Sequence, residues 1–409
     1  MSAGAAARLR HGRDELERLV GELVAIDSVN PDLVEGGAGE AQIAAFVAGW
    51  LRNAGLEVEI DEPRPGRPSV VATARGRGAP RRQLRRDGTS LRGNPVGLGR
   101  SLMLVAHTDT VGVEGMTDPF APRVAGGRLY GRGAYDMKGS LAACMAAGAA
   151  AVGAGLAGDV VVAAVSDEEY ASLGCRSVAA RWRADAAIVT EPTGLDACVA
   201  HKGFAWAEIE LRGRAAHGSR PDLGVDAIVH MGAVLAELAE LDRRLEAVRH
   251  PLLGRGSVHA SLISGGQELS SYPERCVLEL ERRTLPGVTD TEAALAAELD
   301  DLLARARARE PALEASGEIT LVRAPFEVDP GAPVVAAVRR AGAGVLGREV
   351  ELVGHSAWMD AAVLAGAGIP TVVFGPGGEG AHAVEEWVEL ADVERCAQVL
   401  LAAAAELCG

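Results

Sequence analysis

The stretch SLMLVAHTDTV, residues 101–111, sets the fold prediction for this chain. Its apolar run is typical of a strand buried in a sheet, but the run stops at His107, and Asp109 follows two positions on. Three further short apolar runs end in polar or glycine residues in the same way: DVVVAAVS (159–166), AAIVTE (186–191) and IPTVVFGPGG (369–378). Helical or loop segments separate these runs, and this alternation predicts an α/β sheet.

The pattern changes after residue 201, which predicts a second domain. Residues 204–213 (FAWAEIELRG) alternate between apolar and polar, and from there to residue 327 the order is strand-helix-strand-strand-helix-strand, the ferredoxin-like order. We therefore predict a mixed-sheet α/β domain, discontinuous over residues 1–201 and 328–409, with a ferredoxin-like α+β domain inserted over residues 202–327. Two domains also fit the length, since 409 residues are more than a domain with one hydrophobic core usually contains.

The composition excludes some classes of protein. The net charge of −15 argues against a nucleic-acid-binding protein, which would usually carry a basic excess. The six cysteines are scattered without a CxxC pair, so neither a disulfide framework nor a thiolate zinc site is predicted. The first residues contain no apolar signal sequence. These features predict a cytoplasmic protein that binds neither nucleic acid nor membrane.

Two segments need a separate interpretation. Residues 139–158 carry no charge, but alanine and glycine dominate them, so we predict a buried helix rather than a membrane span. Residues 76–100 contain seven arginines and one acid, Asp87, with little apolar material and no periodicity. We interpret this second segment as a surface loop.

Histidine and acidic side chains gather where the apolar runs end. The candidates are His107, Asp136, Glu168, Glu169, Glu191 and His382. Ligands of open α/β sheets bind at the carboxyl ends of the strands, so we expect these side chains to lie together. Carboxylates are costly to bury side by side without a cation. Histidine with aspartate or glutamate, and without cysteine, suits zinc, or cobalt or manganese, in a catalytic site.

The number of candidates favours two metal ions over one. A catalytic zinc takes about three protein ligands and a water. Five ligands suit two ions that share one carboxylate and together activate a water and polarise a carbonyl group. The five are His107, Asp136, Glu169, Glu191 and His382.

Two further residues receive roles beside the metal ions. Glu168 is left as a candidate general base, although spacing alone does not choose between the two adjacent glutamates. Asp109 is placed to accept the other imidazole N–H of His107 and so fix the tautomer of that ring.

The order of these motifs resembles that of a known family. The chain is similar to the co-catalytic zinc amidohydrolases and peptidases that include acetylornithine deacetylase, succinyl-diaminopimelate desuccinylase, aminoacylase and carboxypeptidase G. The matching stretches run in the family's order over nearly the whole chain: VAHTDTV, DPFAPRVAGGRLYGRGAYDMKG, SDEEYASLG, TEPT, GRAAHGSRPDLGVDAI, RRTLPG and GIPTVVFGPGGEGAHAVEEW. The resemblance implies a metal-dependent hydrolase that cleaves the amide bond of an N-acyl amino acid with a free carboxylate. A dipeptidase or carboxypeptidase is the alternative.

The resemblance also implies a role for each residue of the metal site. One metal ion would be held by His107, Asp136 and Glu191, and the other by Asp136, Glu169 and His382. Both ions would be zinc, with cobalt or manganese as alternatives. Asp136 would bridge the ions, and Glu168 would be the general base.

The inserted domain resembles the family's lid, which often forms a homodimer. His217 in GRAAHGSRPDLG matches a lid histidine that helps to stabilise the tetrahedral oxyanion. Arg283 in RRTLPG matches an arginine that binds the carboxylate of the substrate, although Arg282 is its neighbour and bidentate recognition could use either. Ser271 stands where many members have an asparagine, so the substrate contact of that asparagine is not carried over. His355 and Trp358 lie where subfamilies differ and receive no role.

Two other kinds of protein remain as rivals. The stretches GRGAYDMKG and GPGG superficially suggest the phosphate loops of a nucleotide-binding protein, but neither matches GxGxxG or GxxxxGK[ST]. A non-catalytic, metal-dependent binding protein would use the same metal ligands. It would have no need of the additional Glu168, which therefore favours an enzyme.

Overall fold

A computed structural model describes residue 9 and residues 12–78, 99–288 and 291–409 of the chain. Of the arginine-rich segment 76–100, residues 79–98 lie outside the described residues, so the surface loop stays a prediction.

The chain divides into two compact units. The first comprises Met1–Val199, Val328–Val353 and Met359–Gly409, and the second comprises Ala200–Glu327 and Gly354–Trp358. The boundaries proposed from the sequence lie at or within two residues of 199/200 and 327/328. The short segment Gly354–Trp358 belongs to the second unit, whereas the sequence interpretation placed it in the larger domain.

Strands and helices are numbered along the chain. The strands are β1 Glu57–Asp61, β2 Ser69–Ala74, β3 Leu102–His107, β4 Arg123–Ala125, β5 Arg128–Tyr130, β6 Val160–Val165, β7 Ala186–Val189, β8 Ala197–His201, β9 Gly203–Arg212, β10 Arg249–His250, β11 Gly254–Arg255, β12 Ser257–Gly265, β13 Arg275–Thr284, β14 Glu314–Arg323, β15 Phe326–Glu327, β16 Leu352–His355, β17 Thr371–Val373, β18 Gly378–Glu379 and β19 Trp387–Glu389. The helices are α1 Arg13–Val24, α2 Ala41–Asn53, α3 Gly139–Ala151, α4 Leu173–Arg181, α5 Ala227–Arg244, α6 Glu292–Arg309, α7 Pro333–Leu346, α8 Ala361–Gly366 and α9 Leu390–Cys408.

The large sheet of the first unit runs in the order β1–β2–β6–β3–β7–β17–β8. Strands β6, β3, β7 and β17 are parallel neighbours, while β1, β2 and β8 pair antiparallel. Every residue of β3 and β6 is buried. Central parallel strands are covered on both faces, which explains why their sequences are continuous apolar runs. The predicted mixed α/β fold is confirmed.

Helix α3 is the alanine-rich segment that the sequence interpretation placed in the core. All of its residues are buried, and it packs against α9 and β3. Small side chains allow this close approach, which a helix with large residues on every side would prevent. Within the described ranges, no helix is both long and apolar enough to cross a membrane.

The second unit has the predicted ferredoxin-like order. Strands β9, β12, β13 and β14 form a four-stranded antiparallel sheet in the order β12–β13–β9–β14, with α5 and α6 in the connections. Strand β9 alternates as its sequence predicts: Ala205, Ala207, Ile209 and Leu211 are buried, and the last three lie in the core with the two helices. The opposite face of the strand carries Phe204, Trp206 and polar residues.

A small antiparallel sheet in the first unit was not predicted. It runs in the order β18–β19–β5–β4. Its strands have two or three residues, which is too short for an alternating pattern to be recognised. Because β19 pairs with β5, this sheet places the loop before β19 beside the turn after β5.

Candidate metal centre

Four neighbouring parallel strands carry four of the five predicted ligands, together with Glu168, to one edge of the sheet. His107 is the last residue of β3, and Glu168 and Glu169 follow β6. Glu191 follows β7, and His382 lies in the glycine-rich segment after β17. Since the carboxyl ends of parallel strands lie at the same edge, these segments converge there.

Asp136 lies between the two histidines. Its Oδ1 atom is 3.0 Å from Nε2 of His107, and its Oδ2 atom is 3.4 Å from Nε2 of His382. Glu191 stands beside the first histidine, with Oε1 3.7 Å from Nε2 of that ring. Glu169 stands beside the second, with Oε2 3.2 Å from Nε2 of that ring. The structure thus brings the five predicted ligands together, with Asp136 between the two histidines and a glutamate beside each ring. Donor atoms of His107, Asp136 and Glu169 also lie within 4.8 Å of one another.

The two ring nitrogens of His107 have different surroundings. Nδ1 lies 2.9 Å from the backbone carbonyl oxygen of Asp109, which can only accept, so Nδ1 donates its proton there. Nε2 is then the nitrogen that faces the carboxylates and is available to a metal ion.

Asp109 was expected to fix His107 through its carboxylate, and the structure differs. The nearest carboxylate oxygen is 3.7 Å from Nδ1, beyond hydrogen-bond distance, and the backbone carbonyl takes this role. The carboxylate instead accepts hydrogen bonds from the backbone N–H groups of Glu168 (3.1 Å) and Glu169 (3.2 Å). Asp109 therefore links the end of β3 to the turn that follows β6.

The pKa values of the two histidines and of Asp136 are shifted by their mutual contacts. Although burial raises the pKa of Asp136, hydrogen bonds from His107 and His382 lower it below its ordinary value. Hydrogen bonds to Asp136 and Glu169 raise the pKa of His382 to about 10. Burial lowers the pKa of His107, but its hydrogen bond to Asp136 and the nearby carboxylates raise it well above its ordinary value. Protons and metal ions therefore compete for the same nitrogens.

The other carboxylates of the centre are also buried without enough positive charge beside them. Burial raises the pKa of Glu168, Glu169 and Glu191, because their charged forms are poorly solvated there. The Oε1 atom of Glu169 is buried and has no hydrogen-bond partner among the described residues. Divalent cations would supply both the missing partner and the missing charge. Two imidazoles and three carboxylates therefore fit a pair of metal ions.

Glu168 lies beside the first group of donors. A carboxylate oxygen of Glu168 is within 4.8 Å of a ring nitrogen of His107 and of a carboxylate oxygen of Glu191. Burial, and then the charges of Glu191 and Asp360, raise the pKa of Glu168 well above its ordinary value. Asp360 itself is buried, and burial raises its pKa to about 6. Asp360 follows no recognisable apolar run, so the sequence gives no signal that it belongs to this site.

Glu386 is a second residue that the sequence analysis missed. Its buried carboxylate accepts from Arg132 Nη1 (2.6 Å) and from three backbone N–H groups: Gly133 (2.9 Å), Tyr135 (2.9 Å) and Asp136 (3.0 Å). Glu386 therefore fixes the backbone that carries the shared carboxylate.

Arg132 connects this turn to the segment that carries His382. Its Nη2 atom donates to the carbonyl oxygen of Ala383 at 3.0 Å, while Nη1 pairs with Glu386. His382 itself has φ +61°, a left-handed conformation that is uncommon for a residue other than glycine. Such a conformation persists only where its surroundings hold it, and the Arg132–Glu386 pair is one such restraint.

His217 belongs to the second unit. It is exposed, and its Nδ1 atom accepts from the backbone N–H of Ser219 at 3.2 Å, with the Ser219 hydroxyl 2.8 Å away. The neutral ring therefore carries its proton on Nε2.

Arg282 and Arg283, also in the second unit, point to opposite faces of their sheet, as neighbours in a strand do. Arg282 is on the helix side and pairs with Glu298 at 2.9 Å. Arg283 pairs with Glu281 at 2.7 Å, and its side chain is 31% exposed against 11% for Arg282. Arg283 is thus the more accessible of the two. In the same unit, Trp358 donates from Nε1 to the carbonyl of Ala324 at 3.0 Å.

Comparison with known proteins identifies the family. The family model described as Peptidase family M20/M25/M40 matches residues 103–406. An acetylornithine deacetylase of Myxococcus xanthus is 34% identical over 325 residues, which cover 76% of this chain and 82% of that protein. An acetylornithine deacetylase of Erwinia tasmaniensis is 29% identical over 363 residues, covering 85% of this chain and 86% of that protein.

Solved structures show the same fold at lower identity. A tripeptidase from Staphylococcus aureus has a TM-score of 0.75 at 19% identity, with 97% of this chain and 99% of that chain covered. A dinuclear metal-binding peptidase of the M20 family from Bacillus subtilis has a TM-score of 0.71 at 16% identity, with 97% and 98% covered. At these identities the likeness concerns the fold alone. Together with the match over residues 103–406, it confirms the resemblance predicted from the motifs: this chain belongs to the peptidase family M20/M25/M40.

Proposed function

We propose that this chain is a dimetal amidohydrolase that removes the acyl group from an N-acyl amino acid with a free carboxylate. One observation carries the proposal: the two carboxylate oxygens of Asp136 each face the Nε2 atom of a different histidine, with a glutamate beside each ring. The curated relatives are acetylornithine deacetylases, which supports removal of an acyl group from an amino acid.

Five side chains are proposed as the metal ligands. One ion would be held by His107, Asp136 and Glu191, and the other by Asp136, Glu169 and His382. We propose zinc as the native metal, since imidazole and carboxylate donors without thiolate suit a catalytic zinc, while cobalt and manganese accept the same donors. When bound, such ions polarise the substrate carbonyl and lower the pKa of a water molecule.

Glu168 is proposed as the general base. Glu169 contacts His382 directly, so it is the better ligand of the two adjacent glutamates, and Glu168 is left to move protons. Its carboxylate takes a proton from the attacking water and then delivers it to the leaving nitrogen. The backbone N–H of Glu168 is held by Asp109, which fixes the direction in which the side chain leaves the turn.

The second unit is proposed to bind the substrate through His217 and Arg283. The ring of His217 has its proton on Nε2, as a donor to the oxyanion of the tetrahedral intermediate requires. Arg283 presents a planar guanidinium suited to a carboxylate. It already pairs with one carboxylate, that of Glu281.

We also propose that the chain forms a homodimer through the second unit. Strand β12 is the outer strand of its sheet, and its residues from His259 to Gly265 are exposed, with Leu262 and Ile263 63% and 56% exposed. An exposed apolar edge strand is a template for pairing with a second chain. Two more apolar residues, Ile228 and Val229 of α5, are exposed in the same unit.

A cytoplasmic location stays a prediction from the sequence. The six cysteines are all buried free thiols, which supports a reducing compartment.

A metal-reconstituted release assay tests the proposed reaction. Metal-free protein loaded with zinc, cobalt or manganese is incubated with N-acetyl, N-succinyl and longer N-acyl amino acids and with dipeptides, and the freed amine is quantified. We expect release from N-acyl amino acids and none from the matching amides that lack the free carboxylate. Glu168→Gln loaded in the same way is the control. Cleavage of dipeptides alone would replace the deacylase by a dipeptidase, and no cleavage with two ions bound would favour a binding protein.

A further inference from the structure

Behind the metal centre, the first unit contains a buried ion network that the proposed reaction does not use. At its middle is Arg67, whose side chain is 3% exposed. Its Nε and Nη2 atoms each donate to one carboxylate oxygen of Glu40, both at 2.6 Å. Nη2 also donates to Oδ1 of Asp167 at 2.7 Å, and Nη1 pairs with Asp32. Glu40 and Asp167 are fully buried, so Arg67 is their counter-charge.

Asn30 joins this network to the strand that carries His107. Its side-chain amide donates to Oδ2 of Asp109 at 2.8 Å and to Oδ1 of Asp167 at 3.0 Å. The side-chain oxygen Oδ1 of Asn30 accepts from the backbone N–H of Asp32 at 3.0 Å, which orients the side-chain amide. Asn30 is itself fully buried.

Asp109 and Asp167 in turn hold both ends of the turn that carries the two glutamates. The Asp109 carboxylate accepts from the N–H groups of Glu168 and Glu169, as described above. The Asp167 carboxylate accepts from the N–H of Ala171 at 3.2 Å. Asp167 has φ +67°, a left-handed conformation that needs external support in a residue other than glycine.

We propose that Asn30 and Arg67 are positioning residues that form a buried clamp and set the directions of Glu168 and Glu169. The inference rests on the proposed function of those two glutamates. A buried ion pair is weak evidence for a role in stability, because its desolvation offsets its attraction. Here the hydrogen bonds of the clamp converge on one turn, as expected of groups that orient ligands rather than of groups that merely fill a core.

The isosteric variant Asn30→Asp tests the clamp. It keeps the oxygen that accepts from Asp32 but replaces the donor to Asp109 and Asp167 by a second acceptor. Calorimetric titration of metal-free protein should show at least one of the two binding steps weakened by about 10–100-fold, the usual effect of losing a group that orients a ligand. The thermal unfolding midpoint, measured in parallel, should fall, because the new carboxylate is buried against those of Asp109 and Asp167, so the titration is run well below the midpoint of the variant. On an N-acyl amino acid substrate, kcat should fall while KM changes little.

Arg67→Lys is the second variant, and it decides the matter if Asn30→Asp does not fold. It keeps the charge but cannot reach three carboxylates at once, so the same weakening is expected. Arg64→Gln is the matched control, because Arg64 pairs with Asp32 at the exposed side of the network and touches neither Asp167 nor Glu40 in the structure. Metal titrations of Asn30→Asp or Arg67→Lys that superimpose on that of the unaltered chain would overturn the clamp. Failure of the unaltered chain to hydrolyse any N-acyl amino acid would instead contradict the proposed function, since the titration does not depend on turnover.

Discussion

Glu386→Gln should destabilise the fold, although Glu386 is not a proposed metal ligand. The carboxylate is buried and accepts four hydrogen bonds: from Arg132, Gly133, Tyr135 and Asp136. Glutamine keeps one oxygen for the N–H groups but leaves Arg132, whose side chain is 3% exposed, as a buried cation without its counter-charge. Removing one partner of a buried ion pair costs about 3–5 kcal/mol, so the free energy of unfolding should fall by that amount.

The same substitution should weaken the binding of both metal ions. Glu386 holds the backbone N–H of Asp136, and Asp136 is the ligand that both ions share. Loss of an orienting group typically lowers metal affinity by about 10–100-fold. Here the affinities of both binding steps should fall. Glu169→Gln, in contrast, removes a ligand of one ion and should weaken one step.

Urea unfolding of the metal-free protein and calorimetric titration of metal check these expectations. Glu389→Gln is the control, since Glu389 forms a partly exposed pair with Arg128 at 3.4 Å and should change both measurements little. This expectation fails if the free energy of unfolding of Glu386→Gln lies within about 1 kcal/mol of that of the unaltered chain, a change well below the expected loss for a buried pair. It also fails if only one metal step weakens.

Three further predictions concern the proposed roles. Glu168→Gln should keep both metal ions and lower kcat by about 10²–10⁴, and loss of metal in this variant with retention in Glu169→Gln would reverse the two assignments. His217→Ala should keep both ions and lower kcat by about 10²–10³ with KM changing less. If the histidine acts in a partner subunit, mixing with Glu168→Gln subunits should restore part of the activity, and an unaltered kcat would remove His217 from the mechanism. In metal-free protein, the pKa of His382 is raised from 6.5 to about 10, so its stabilising charge is fully present below pH 6.5 and is lost as the pH rises through about 10. The unfolding midpoint of the unaltered chain should fall over that range more steeply than that of His382→Gln, and equal slopes would contradict the shift.

The strands that carry the site could be predicted because of where they lie. Central parallel strands are covered on both faces, so β3 and β6 appear in the sequence as continuous apolar runs. A polar residue that ends such a run is conspicuous, which is how His107 and Glu191 were found. The alternation in β9 is equally visible, because one face of that sheet is covered by helices and the other is not.

The supporting residues could not be predicted, and the reason is topological. Glu386 stands next to Glu385 with nothing in the sequence to distinguish the two, and only the pairing of β19 with β5 brings it to the Asp136 turn. Asn30 and Arg67 reach Asp167 from segments far away along the chain. Which atom of Asp109 faces His107 depends on side-chain geometry that spacing does not determine.

We propose that two metal ions, sharing Asp136, make this chain an amidohydrolase of N-acyl amino acids. Stepwise addition of zinc to metal-free protein, with bound metal and amine release from an N-acyl amino acid measured in the same samples, tests it most directly. Binding should saturate at two ions per chain, and full activity should need both ions. Full activity at one ion per chain would contradict the shared carboxylate, and two bound ions without release of amine would contradict the reaction.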